Sequence, residues 1–235
     1  MDDYEVYAGK GMVIVKATYL RHSYSWSDHS ITGEKLGWGI IASSTPEDSR
    51  LLRELEKLAS AAMPDYRSRI PVEMLLYSPI CGYVKMTAMA RKEGNAGRKN
   101  KMVRLFQLEA SPVTPASYLA PGDSWDPPRK GQELLPVTLE VPLWDRSVFL
   151  QELGEDPDAI RALMAMVYRT VTGDIRQLNL LAPDWKQEEF AGRSRLIMGL
   201  IHEMLPEKLR RRAGYISFAR EKIRRIPFVF SKRPL

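Results

Sequence analysis

The sequence predicts an α+β fold, with a strand-rich N-terminal half holding one amphipathic helix and a helix-rich C-terminal half ending in short strands. Three observations predict it. Runs dense in β-branched and aromatic residues recur up to about residue 109. Apolar stripes at helical spacing occur once in that part of the chain and twice after it. Between the two lies 111–136, which holds six prolines and two glycines and is the sharpest change of composition. The expected organisation is a strand-rich region 1–120, a linker or surface loop 121–136, and a mainly helical region 137–235 with a basic end.

Taken in order, GMVIVKATYL (11–20) reads as a strand and the polar stretch 21–36 as a loop or irregular hairpin. GWGIIA (37–42) has strand length. Thr45 as N-cap, Pro46 in the first helical position and Asp48 three residues after the cap predict a helix start. Leu51, Leu52, Leu55, Leu58, Ala59 and Ala62 then share a face, and Pro64 ends the helix. PVEMLLY (71–77), GYVKMTAMA (82–90) and MVRLFQLE (102–109) alternate as strands. The last two flank RKEGNAGRKN, so they form a hairpin with a basic tip.

After the proline-rich stretch, Asp156-Pro157 starts a helix whose stripe is Ile160, Leu163, Met164, Val167, Tyr168 and Val171, ending near Gly173. Asp184 with Gln187 resembles a capping box ahead of Phe190, Ile197, Leu200, Ile201 and Met204. Pro206 opens a short basic helix, PEKLRRR. YISFA and IPFVF close the chain as strands.

The chain has 235 residues, of which 44% are hydrophobic and 27% charged, enough for a packed core. A lone cysteine, Cys81, allows no intramolecular disulfide and suits a reducing cytosol. The acidic N-terminus resembles neither a secretory signal nor a transit peptide. No stretch approaches the roughly 18 apolar residues of a membrane span. A soluble cytoplasmic protein is expected.

The net charge is +6, and the excess is local: the last 35 residues hold 10 basic and 3 acidic groups. The second concentration is the hairpin tip. Candidate binding residues are therefore Arg98, Lys99, Asn100 and Lys101 at the tip, and Lys208, Arg210, Arg211, Arg212, Arg224 and Arg225 at the end. Such surfaces attract acidic protein faces or nucleic acid. Arginines at a helix end also satisfy last-turn carbonyls, which accounts for one or two of the three. Three in a row point in different directions, so at least one is left for a partner.

Constellations with catalytic chemistry are absent from the sequence pattern. There is no phosphate loop and no Gly-x-Ser-x-Gly elbow, and Gly37-Trp38-Gly39 lacks a third glycine. His22, Asp28 and His29 lie within eight residues and form the one metal-site candidate, although no cysteine pair or helical histidine spacing supports it. His202 sits at the boundary of an apolar stripe, and Cys81 looks like a small buried hydrophobe. No catalytic residue, cofactor or metal is expected.

Two passages resemble a known family. GYVKMTAMA, a turn with Gly97-Arg98-Lys99-Asn100, and MVRLFQLE are similar to the Gly-Arg-x-Asn signature in the N-terminal region of bacterial GTPase-associated proteins. LIHEMLPEKLRRRAGYISFA (200–219) is similar to the Leu-Pro, arginine, Ser-Phe pattern of that family's middle region. The chain departs from it at Lys101-Met102-Val103-Arg104 and at Ala219-Arg220. The resemblance implies a non-enzymatic adaptor coupling a GTPase to an effector in a bacterial conflict or defence system. The alternative is a nucleic-acid-binding module using the same basic residues.

Overall fold

The computed structural model describes residues 14–29, 31, 35–67, 70–92, 99–108, 133–142, 150, 156–221, 223 and 226–235. Among them are nine strands and four helices. The strands are β1 (Ile14–His29), β2 (Lys35–Ser43), β3 (Val72–Ser78), β4 (Gly82–Lys92), β5 (Lys99–Leu108), β6 (Val137–Pro142), β7 (Leu178–Leu181), β8 (Tyr215–Ile216) and β9 (Phe228–Ser231). The helices are α1 (Ser49–Ala61), α2 (Pro157–Thr172), α3 (Glu189–Met204) and α4 (Glu207–Arg210).

All nine strands belong to one sheet in the order β2-β1-β5-β4-β3-β8-β9-β7, with β6 also paired to β1. The pairs β1–β2, β1–β5, β4–β5, β3–β4 and β3–β8 are antiparallel, whereas β7–β9 and β8–β9 are parallel. The mixed α and β content matches the expected class. The sheet is not confined to the first half, because Met74 of β3 pairs with Ile216 of β8.

Register places the helices. Lys101 opposes Ala90 and Arg104 opposes Thr87, while Thr87 opposes Glu73. Directly opposed residues share a face. Lys101 bonds to the end of α1 and Glu73 pairs with Arg195 of α3, so the two helices cover opposite faces. The α1 side buries Leu51, Leu52, Leu55 and Ala59 with Met74, Met86 and Leu105. The α3 side buries Phe190 and Tyr215, with Phe230. A smaller cluster of Tyr19, Phe106 and Val141 lies where β6 joins β1.

Several local expectations are corrected. Of the two readings of 21–36, loop or irregular hairpin, the structure shows the hairpin: 21–29 continue β1, which pairs with β2 through a register shift at Ser23/Tyr24, and 22–25 also pair with β5. His22 bonds within the sheet, its Nδ1 lying 2.9 Å from Ser43 Oγ. The N-cap of α1 is Asp48, not Thr45: its carboxylate accepts from the Leu51 amide at 2.9 Å. Asp184 and Gln187 build no capping box, since Gln187 donates to Asp65 instead. Tyr168 is exposed, and the buried stripe of α2 runs through Met164, Val167, Thr170 and Val171.

Asp156 does cap α2, accepting from the amides of Asp158 and Ala159, and Gly173 ends it at φ 102°. Cys81 is buried. None of the described helices is long and apolar enough to cross a membrane.

Candidate functional site

The arginine-bearing turn is set by Pro206. Its missing N–H ends α3 and its fixed φ starts α4. The chain then turns through Arg211 and Arg212 and enters β8 beside β3. Gly214 permits that approach: a Cβ there would lie 2.9 Å from the Leu75 carbonyl oxygen.

Two of the three arginines are taken up by helix ends. Arg210 Nε donates to the Leu205 carbonyl at the end of α3 (2.9 Å), and an Arg212 amine donates to the Val171 carbonyl of α2 (3.2 Å). Both place a cation at the negative end of a helix dipole. His202 Nε2 bonds to the Ala213 carbonyl at 2.9 Å and fixes the exit of the turn. A carbonyl only accepts, so that nitrogen carries the proton. The ring is 0% exposed, and burial pushes its pKa down to about 4.

Arg211 is presented differently. Its guanidinium lies over the Tyr77 ring, 5.3 Å from the centroid, with Glu207 at 3.6 Å as a half-exposed ion pair. Tyr77 packs edge-on against Tyr83 at 5.2 Å, and Tyr83 leans on His202. Burial pushes the Tyr83 hydroxyl up to about 12 despite the opposing pull of Arg211 and Arg210. Lys208 is exposed and has no ion-pair partner among the described residues. Arg211, with Tyr77 beneath it and Tyr83 against that ring, therefore forms a basic surface on an aromatic base, and the exposed Lys208 lies three residues before it. The tyrosines are a contribution that sequence reading missed. Their signal was cross-strand alternation on β3 and β4, which brings residues 77 and 83 into register.

The hairpin end is arranged otherwise. Strands β4 and β5 form the expected hairpin, with Arg91 opposite Asn100 and Lys92 opposite Lys99. Lys101 is 9% exposed, and its ammonium donates to the carbonyls of Ala59 (3.1 Å), Ser60 (3.0 Å) and Ala62 (3.0 Å). It also sits under Tyr24 and Trp38, at 5.3 and 5.8 Å. Burial lowers its pKa to about 8. Lys101 thus closes the C-terminal end of α1 and is not presented at the surface. Arg98, Arg224 and Arg225 lie outside the described residues.

The two basic regions are also far apart. Tyr83 is the second residue of β4 and Lys92 its last, a span of roughly 30 Å at about 3.3 Å per residue. The lysines at the hairpin and the Arg211 surface therefore occupy opposite ends of the sheet.

His22 is 1% exposed within β1, and burial pushes its pKa down to about 4. Among the described residues no three potential ligands gather. On the α3 face, Glu73 lies between Lys85 (3.4 Å) and Arg195 (3.0 Å), all largely buried. Burial lowers the Lys85 pKa to about 7, against the pull of Glu73. This cluster ties β3, β4 and α3 together in the core. No family model, curated protein or solved structure matches the chain.

Proposed function

We propose that the chain is a non-enzymatic adaptor that binds an acidic protein surface through Lys208 and Arg211. The observation that carries the reading is Arg211 held over Tyr77, three residues after an exposed Lys208 that has no ion-pair partner among the described residues, while Arg210 and Arg212 are spent on helix ends. Arginine and tyrosine are enriched where interfaces gain most of their energy. A guanidinium fork also matches a carboxylate in geometry. A GTPase as that partner, an effector on its far side, and a place in bacterial defence rest on the two family-like passages. A cytoplasmic location agrees with the single cysteine.

The alternative is nucleic-acid binding by the same surface. Stacking readers offer open aromatic faces beside their cations. Here Tyr77 already carries Arg211 and packs on Tyr83, which favours a protein partner. Affinity capture from native host lysate with the Lys208→Glu/Arg211→Glu double variant as control tests both. The expected result is nuclease-resistant capture of a GTPase that the variant loses. Nuclease-sensitive capture, with log affinity falling about 0.9 per phosphate contact against log salt, would replace it with the alternative.

A further inference from the structure

An edge strand leaves a row of N–H and C=O groups open to another chain unless something covers it. At one edge of this sheet the chain covers itself. The Ile40 N–H of β2 donates to Glu56 (2.9 Å), and the Ile40 carbonyl accepts from the Ile31 amide (3.0 Å). The Ser43 carbonyl accepts from the Leu134 amide (3.2 Å). Strand β6, on the same side of β1, carries Glu140 and ends at Pro142, and both discourage further pairing.

Strand β7, at the other edge, has no such cover. The Leu178 amide donates to the Pro227 carbonyl (2.8 Å) and the Ala182 amide to that of Ser231 (2.9 Å). Leu178, Leu180 and Ala182 therefore face β9, while Asn179 and Leu181 turn their N–H and C=O groups outward. Those four groups have no partner among the described residues. The strand, Leu-Asn-Leu-Leu, holds no proline, charge or bulge, and Leu181 is 53% exposed.

This edge is complementary to itself. Two copies laid antiparallel about a twofold axis at Leu180 set Asn179 of each opposite Leu181 of the other. Each such pair exchanges two N–H···O bonds, so every open group of both copies is satisfied. An axis at Leu181 sets Asn179 against Pro183, which has no N–H.

The flanking charges select the same axis. Asp174 and Arg176 precede β7, and Asp184 and Lys186 follow it. All four are exposed, and none has an ion-pair partner among the described residues. About Leu180, Arg176 of one copy comes toward Asp184 of the other, and Asp174 toward Lys186. An axis at Asn179 would bring Asp174 toward Asp184, and one at Leu181 would bring Arg176 toward Lys186. Like charges brought together in this way disfavour both.

We propose that β7 is a dimer edge, at which a second copy of this chain pairs antiparallel about Leu180 and continues the sheet. The contact uses the same surface on both copies, so it closes at two and builds no fibre. Four backbone bonds and exposed charges make a small interface, with a dissociation constant on the order of 10–100 μM. It goes beyond the adaptor reading and does not rest on it.

The test is sedimentation equilibrium of the full chain at low salt, from about 5 μM to about 500 μM, with folding checked by circular dichroism. A reversible dimer is expected. Leu181→Pro removes one outward N–H and no inward bond, and should weaken the dimer about tenfold or more. Arg176→Asp and Asp184→Arg each set like charges in both flanking contacts and should weaken it about tenfold when alone. Their equimolar mixture should dimerise again, because a mixed pair sets opposite charges in both contacts. Leu180→Cys lies on the axis, where opposed Cα atoms are about 4.5 Å apart, so mild oxidation should cross-link it. Leu178→Cys, opposite Ala182, should not cross-link. A monomer throughout the range, a dimer unmoved by either charge reversal, a mixture that restores nothing, or equal cross-linking at 178 and 180 would each overturn the proposal. So would a dimer lost only in Lys208→Glu/Arg211→Glu, which would place the contact at the arginine turn. Should Leu181→Pro fail to fold, the charge reversals and the cross-links still decide. Partner capture through Lys208 and Arg211 enters none of these outcomes, so the two readings fail separately.

Discussion

Replacing Lys101 with methionine separates a structural lysine from a binding one. The substitution keeps an unbranched apolar stem of similar length and removes the ammonium. Three carbonyls, those of Ala59, Ser60 and Ala62, then lose their donor at the end of α1. An acceptor left unsatisfied in a buried place costs about 1–3 kcal/mol. Ser60 is exposed and its carbonyl can turn to water, and Ala59 still accepts from the Ala62 amide at 3.1 Å, so the Ala62 carbonyl sets the loss. Methionine also gains from packing against Tyr24 and Trp38, which offsets part of it. The expected net destabilisation is about 1–2 kcal/mol. Urea unfolding followed by tryptophan fluorescence would show it as a lower midpoint by about 0.5–1 M with the slope unchanged. Partner capture measured well below that midpoint should be retained. A variant within about 0.5 kcal/mol of the parent that no longer captures partner would refute the helix-end role and return Lys101 to the binding surface.

The arginine turn gives a paired prediction. Arg210→Ala removes a charged donor from the end of α3 and should cost about 1–2 kcal/mol, whereas Lys208→Glu/Arg211→Glu should stay within about 1 kcal/mol. Equal losses in urea titrations would contradict the division of roles. Acid should destabilise the protein through its buried histidines. His22 and His202 have folded pKa values of about 4 against an ordinary 6.5, so the unfolded chain binds more protons between those limits. Stability therefore falls as pH drops from about 6.5 to about 4, by up to about 3 kcal/mol per histidine, then stops falling from this cause. The Asp65 contribution is lost only at lower pH, because its folded pKa is depressed. A flat unfolding midpoint from pH 7 to 4 would show that neither ring is held neutral.

What was legible in the sequence followed local chemistry. Asp156-Pro157 and Gly173 bracket α2 because capping and left-handed termination depend on neighbouring residues alone. The β4–β5 hairpin was legible for the same reason. Residues 21–29 were legible only as a choice between loop and irregular hairpin: RHSYSWSDH looks polar, and it is the flanking β2 and β5 that bury Ser23 and Ser25 and settle it as hairpin. Thr45 read as the cap with Asp48 three residues after it, but the helix starts later and Asp48 itself caps it, its carboxylate reaching Leu51. Lys101 read as one more cation of a basic tip because nothing local shows that α1 ends beneath it. His202 read as a boundary residue because its acceptor, Ala213, comes from the next turn of chain.

The distance between the basic regions bears on what an adaptor of this shape can do. Charge counted along the chain falls in two places, and β4 separates them by roughly 30 Å. A standard interface covers about 800 Å² on each partner, a patch close to that same width. One partner touching both ends would need the whole of that footprint along the sheet. Two smaller contacts fit more simply, one at Lys208 and Arg211 and one at the hairpin end. The sheet would then act as a spacer: the ladders of β4 with β3 and β5 run along that separation, so binding at one end cannot shorten the distance to the other. Single substitutions at either end should therefore abolish one contact and leave the affinity of the other within about twofold.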